Sequence, residues 1–93
     1  MRLDKFLKNT GIMKRRTLAK RICDGGHCSV NGRKAKPGSS VAVGDVIRLQ
    51  VGMNVAEYEV LKLAEREVRK DERDEYRRLI GSDRVDPLGD LGS

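Results

Sequence analysis

Residues 1–36, MRLDKFLKNTGIMKRRTLAKRICDGGHCSVNGRKAK, decide the fold. Leu3, Phe6 and Leu7 fall at i, i+3 and i+4, the spacing of one buried helical stripe, while Arg2, Lys5 and Lys8 fall outside it. Asn9, Thr10 and Gly11 interrupt the pattern, Ile12 and Met13 anchor a corner, and helical periodicity resumes over 14–24, with Leu18 and Ile22 four apart. Ala19 and Cys23 lie beside that pair and allow a close helix–helix approach. Gly25 and Gly26 stop the second helix. Two short strands, 27–30 and 33–36, then flank Asn31-Gly32, a pair that favours a type I′ hairpin turn.

Charge is concentrated in the same stretch. It holds eleven Lys or Arg against two acids, whereas residues 37–93 hold nine against twelve, so a net charge of +6 hides a separation of +9 from −3. Clustered cations release condensed counterions on meeting a polyphosphate, while scattered cations stay solvated. Arg16 and Lys20 form one i, i+4 row of like charge, whose mutual repulsion of a few tenths of a kcal/mol an anionic partner would relieve. The candidate contacts for such a polyphosphate are Arg2, Lys5, Lys14, Arg15, Arg16, Lys20, Arg33, Lys34 and Lys36, expected to converge on one cationic surface. Readers of single strands stack bases on exposed aromatics. Here Phe6 belongs to the buried stripe and Tyr58 to the inner face of a strand, so phosphate geometry and RNA shape are what arginine forks would recognise.

A chain of 93 residues with 37% charge builds one small core, which argues against a large substrate cavity and against catalysis. No catalytic residues and no cofactor are expected. The N-terminus alternates charged and apolar residues, unlike a signal peptide, and no stretch is long and apolar enough to span a membrane. A cytoplasmic protein is expected, with Cys23 and Cys28 kept as thiols. These two and His27 cluster, but their spacing matches no common zinc pattern, so no metal site is expected.

Downstream, Pro37, Gly38, Ser39 and Ser40 form a loop, and Gly44-Asp45 makes a turn. In the strand over 46–51, Ile47, Leu49 and Val51 share one face and Arg48 and Gln50 the other. A strand over 55–63 turns Tyr58 and Val60 inward and Glu57 and Glu59 outward. The fold class expected is α+β: two N-terminal helices on a small, mostly antiparallel sheet, forming a domain over 1–64. Residues 65–80 are densely charged and predict a marginal helix, supported by Glu65 with Arg69 and Asp74 with Arg78, with Val68, Tyr76, Leu79 and Ile80 as its apolar candidates. Residues 81–93 have too little apolar content to fold.

The ordered series RLDKFL, KRRTLAK, Gly25-Gly26, SVNG and GDVI resembles the RNA-binding domain first recognised in small-subunit ribosomal protein S4, also called the alpha-L motif. The resemblance covers roughly residues 1–50. Within that superfamily, the opening MRLDKFLK, the run IMKRRTLAK and the short length look like the RqcP family of bacterial ribosome-associated quality-control factors. That resemblance implies binding to rRNA and peptidyl-tRNA on an obstructed large ribosomal subunit. It also implies support of a partner that adds untemplated C-terminal alanine tails to the stalled nascent chain. Arg2 and Arg16 match basic positions in the family's first and second helices. A monomer is expected when the protein is free.

Other readings compete with this one. Heat-shock recycling factors of the same domain family resemble the first fifty residues but carry a longer basic C-terminal region. Pseudouridine synthases and tyrosyl-tRNA synthetase carry the domain attached to a catalytic one, and nothing after residue 64 resembles such a domain. A helix-turn-helix DNA binder is the reading from another class, and comparison of duplex DNA with structured RNA separates it.

Overall fold

Leu3, Phe6 and Leu7, the stripe expected from their spacing, are fully buried and seat helix α1 (Leu3–Asn9) in the core. The computed structural model describes residues 1–84. After α1 come α2 (Arg16–Asp24), β1 (Cys28–Val30), β2 (Arg33–Lys34), β3 (Val46–Val51), β4 (Asn54–Val60), a 3-10 segment (Lys70–Glu75) and β5 (Arg77–Arg84). The strands make one antiparallel sheet in the order β2-β1-β3-β4-β5, and α2 packs against β1 and β3. This is the α+β arrangement read from the sequence. Ile47 and Leu49 meet the helices, and each large apolar side chain so buried contributes about 1.5–3 kcal/mol.

No side chain caps α1. Its first N–H groups, which no helical carbonyl can reach, are taken by the loop after the hairpin: Leu3 donates to the Ser39 carbonyl at 2.7 Å and Asp4 to the Pro37 carbonyl at 3.0 Å. Val41 returns a bond to the Met1 carbonyl at 2.8 Å. The hairpin's exit loop is therefore tied to the start of α1.

The glycine pair ends α2 in a Schellman motif. Gly26 adopts φ +81° and donates to the Cys23 carbonyl, and His27 donates to that of Ile22. Ala19 and Cys23 are the buried residues of α2, and Leu18 and Ile22 are half-buried, so the smaller side chains form the contact centre. Asn31 and Gly32 both take positive φ, +53° and +82°, as a type I′ turn requires. Asn31 also donates through Nδ2 to Asp45 Oδ1 at 3.0 Å and accepts from the Val46 N–H at 2.9 Å. The SVNG and GDVI motifs are thus bonded to each other.

The segment 65–80 departs from the helix expected there. Its helical portion is confined to the 3-10 stretch Lys70–Glu75, and the chain then forms β5. The open edge of β4 presents unpaired backbone groups that a further strand satisfies. β5 supplies that strand, and Arg78 pairs with the Glu59 carboxylate directly across the ladder. The preceding residues wrap the C-terminal end of α1: the Val68 N–H donates to the Asn9 carbonyl at 2.8 Å, Asn9 Nδ2 to the Ala64 carbonyl at 2.8 Å, and Arg77 Nε to the Thr10 carbonyl at 3.2 Å. Of the segment 81–93, expected to be unfolded, 81–84 belong to β5 and 85–93 lie outside the described residues. β4 ends at Val60 instead of continuing to residue 63. Among the described residues, no helix is long and apolar enough to cross a membrane.

Candidate nucleic-acid interface

Asp4 brings two of the candidate arginines together. Its fully buried carboxylate accepts Arg2 Nε at 3.1 Å and Nη2 at 3.3 Å, Arg16 Nε at 3.2 Å and the Lys5 N–H at 2.8 Å. Burial pushes the carboxyl up, but the hydrogen bonds from Arg2 and Arg16, the charge of Arg16 and the Lys5 amide outweigh it and hold Asp4 below its ordinary value. The two arginine side chains remain 52% and 44% exposed. Each guanidinium has five donors, so both keep donors for a partner while Asp4 fixes their direction. Asp4 escapes a reading of cations alone; its signal is a lone acid beside the apolar stripe of a basic helix.

From this pair the basic surface continues in two directions. Arg2 lies over Gly38, its Nη2 3.7 Å from the point a side chain there would occupy, and the same loop is closed by the Lys36 N–H on Ser39 Oγ at 2.8 Å. Lys20 follows Arg16 on the exposed row of α2, whose nine residues span about 13 Å at 1.5 Å per residue. Arg15 is exposed at the N-cap of that helix. At the far end, Lys34 and Lys36 line a hollow with Asp24 and Gly26. Arg2 and Arg16 thus meet at Asp4 at the start of α2, Lys20 lies about one turn further along it, and Lys34 and Lys36 border the hollow at its C-terminal end.

Three candidates are directed elsewhere. Lys5 turns to Glu65 Oε2 at 3.7 Å, and its neighbour Lys8 pairs with Glu67, whose carboxyl Lys8 holds below the ordinary range. Lys14 stands on the rim of an apolar groove with Ile12, Leu18, Val51 and Tyr58. Arg33 lies opposite Val30 on the edge strand, so alternation sends it to the face opposite Lys34.

Arg48 is a cation that the sequence placed on the outer strand face without assigning it to the surface. Lys34, Ser29 and Arg48 form one row across β2, β1 and β3, and they line a second hollow with His27 and Gln50. Glu57 is opposite Arg48, but its Oε1 leans to within 3.2 Å of where a Gly81 side chain would begin. Among the residues whose side chains are described, 1–82, Arg48 has no ion-pair partner. No group of three His, Cys, Asp or Glu side chains among those residues could hold a metal ion.

The S4 domain family matches residues 1–47. The RQC P-site tRNA stabilizing factor of Halalkalibacterium halodurans is 46% identical over 72 residues, 77% of this chain and 81% of that one. The protein of the same name from Listeria monocytogenes is 37% identical over 86 residues, 92% of each chain. In three dimensions, the trimeric Heat Shock Protein 15 of Vibrio cholerae superposes with a TM-score of 0.78 at 32% identity, over 85% of this chain and 80% of that one. The chain belongs to the S4-domain family of RQC P-site tRNA stabilizing factors.

Proposed function

We propose that this protein is a non-catalytic RNA-binding factor of ribosome-associated quality control. It binds the obstructed large ribosomal subunit in the cytoplasm, as a monomer when free, with rRNA and peptidyl-tRNA as its ligands. By steadying the tRNA it supports a partner that extends the stalled nascent chain with alanines. The observation that carries the reading is the convergence of Arg2 and Arg16 on Asp4, which prepares two guanidinium forks for phosphate oxygens before RNA arrives. The nine residues Arg2, Lys5, Lys14, Arg15, Arg16, Lys20, Arg33, Lys34 and Lys36 remain the candidate contacts, and Arg48 joins them. Arg2, Arg16, Lys20, Lys34 and Lys36 form the centre, and neutralising about five phosphates corresponds to a log–log salt slope of about −4.

Co-sedimentation with purified large subunits, with and without peptidyl-tRNA, tests this reading. The wild-type protein should prefer the tRNA-bearing particle, and Arg16→Ala should lose about tenfold in affinity, or about 1.4 kcal/mol. Equal pelleting of both proteins would remove the arginine pair from function. Likeness to Heat Shock Protein 15 supports a second reading, a large-subunit recycling factor. Equal binding to particles with and without tRNA would select it.

A further inference from the structure

Cys23 and Cys28 are not used by the RNA-binding surface, yet the fold holds them in contact. Cys23 ends the buried stripe of α2 and Cys28 opens β1; their sulfurs are 2.9 Å apart and both residues are buried. Their proximity is imposed by the backbone. The Schellman bonds from Gly26 to the Cys23 carbonyl and from His27 to the Ile22 carbonyl set the turn between them, and Cys28 is fixed opposite Leu49 while accepting the Ala35 N–H at 3.0 Å. A disulfide needs about 2.05 Å between sulfurs, so the remaining closure is under about 1 Å.

We propose that Cys23 and Cys28 form a reversible intramolecular disulfide when the protein meets a peroxide-class oxidant, a modification site that staples the end of α2 to the start of β1. The hydrogen bond shared by the two sulfurs holds Cys23 below the ordinary thiol range, against burial and the nearby Asp4 and Asp24, while the same bond and burial push Cys28 up. With the sulfurs 2.9 Å apart either thiol can attack and the other resolve; the lowered Cys23 thiol favours Cys23 as the attacker. The Cys23 thiolate attacks one peroxide oxygen, the O–O bond breaks, hydroxide leaves, and Cys23 becomes a sulfenic acid. The Cys28 sulfur then attacks the Cys23 sulfur, the S–O bond breaks, and the Cys28 proton, the proton lost from Cys23 and the two oxygens depart as two waters. Two thiols are oxidised by two electrons and one peroxide is reduced.

Both sulfurs are buried, so a peroxide reaches them from the hollows that the two residues border. Cys23 lines the hollow with Gly26, Lys34 and Lys36, and Cys28 the neighbouring one with His27 and Arg48. In a reducing cytoplasm the pair rests as thiols; under peroxide stress the disulfide intercepts the sulfenic acid before irreversible oxidation. Because closure is so short, RNA binding should survive it.

The full chain, folded, is treated with hydrogen peroxide, then alkylated and weighed intact. The expected product is a monomer lighter by two hydrogen atoms, refractory to alkylation, restored by reductant, with a raised thermal midpoint and unchanged tRNA affinity. Cys28→Ser should instead accumulate a sulfenic acid at residue 23, and Cys23→Ser should be slow to react. A parallel sample oxidised in denaturant shows that the reagent is active. Persistence of two alkylatable thiols in the folded protein, or a disulfide-linked dimer as the product, would overturn the proposal.

Discussion

Arg2 and Arg16 donate to the same Asp4 carboxylate, at 3.1 and 3.2 Å, from the starts of two different helices. A free arginine side chain has about 2 kcal/mol of rotamer entropy to lose on binding. Sharing one buried acceptor removes part of that loss in advance. Asp4→Asn therefore separates two accounts of the surface. If net charge alone mattered, removing an acid would tighten RNA binding. If orientation matters, affinity falls, because the amide keeps one acceptor oxygen and turns a donor toward the guanidiniums. The expected result is a tenfold or greater loss in tRNA affinity by fluorescence anisotropy at fixed salt, consistent with the roughly 1.5–3 kcal/mol of a charged hydrogen bond. Tighter binding by the variant would favour charge over geometry.

The same carboxylate makes stability pH-dependent in a defined direction. Asp4 titrates lower in the folded protein than in the unfolded chain, so the folded state holds fewer protons as acid is added. Its contribution is complete above the unfolded aspartate value, near pH 4, and is lost as pH falls through the lower folded value. Thermal midpoints measured through the acid range should fall for the wild type and fall less steeply for Asp4→Asn. Glu67 adds a term of the same sign, but its pair with Lys8 is at the surface and salt suppresses it. The Asp4 share should persist at high salt.

What the sequence makes legible here is local. The stripe of Leu3, Phe6 and Leu7, the glycine stop of α2 and the Asn31-Gly32 turn are each written within a few residues, and the structure reproduces them. The alternation of Ile47 and Leu49 with Arg48 and Gln50 likewise survives folding. β5 was hidden because its partner is distant in sequence: Tyr58 pairs with Leu79 and Glu59 with Arg78, across a bulge that leaves Ile80 unmatched. Glu57 and Glu59 on one face of β4, with Arg77 and Arg78 downstream, were the available signal. Helical i, i+4 pairs use the same charges, so the sequence alone favoured the wrong period. For the site, residue type was legible but direction was not. Lys5 and Arg16 are both cations outside an apolar stripe, yet one faces Glu65 and the other the Asp4 cluster.

Gly11 tests how the C-terminal segment is attached. It takes φ +76°, and a Cβ there would lie 2.3 Å from Arg73 Cζ and 2.4 Å from its Nε. Gly11→Ala combines a backbone cost of about 1–2 kcal/mol with displacement of Arg73 from the α1–α2 corner. Urea denaturation should record a loss of at least about 1 kcal/mol. Arg73→Ala in the same chain should relieve the steric part and leave the backbone part, so the double variant should be less destabilised than the sum. Strict additivity would mean that the guanidinium does not rest on the corner.

Arg48 decides how far round the domain the RNA-binding surface extends. If contact ends at the edge of the hairpin, Arg48 is a solvated side chain on the outer sheet face and its removal leaves binding unchanged. Its row with Lys34 and Ser29, and the hollow they line with His27 and Gln50, favour a phosphate seated between Lys34 and Arg48. Each phosphate contact contributes about 0.9 to the log–log salt slope on a duplex and about 0.7 on a single strand. Arg48→Ala should therefore make the slope shallower by about 1 and weaken binding to different RNA sequences alike. Arg48→Lys should restore most of the slope, because a phosphate can take a point charge where a bidentate fork is not required. Glu57→Gln should move affinity upward by removing the neighbouring anion. A slope indistinguishable between wild type and Arg48→Ala, with Arg16→Ala still defective, would confine the surface to α2 and the sealing loop.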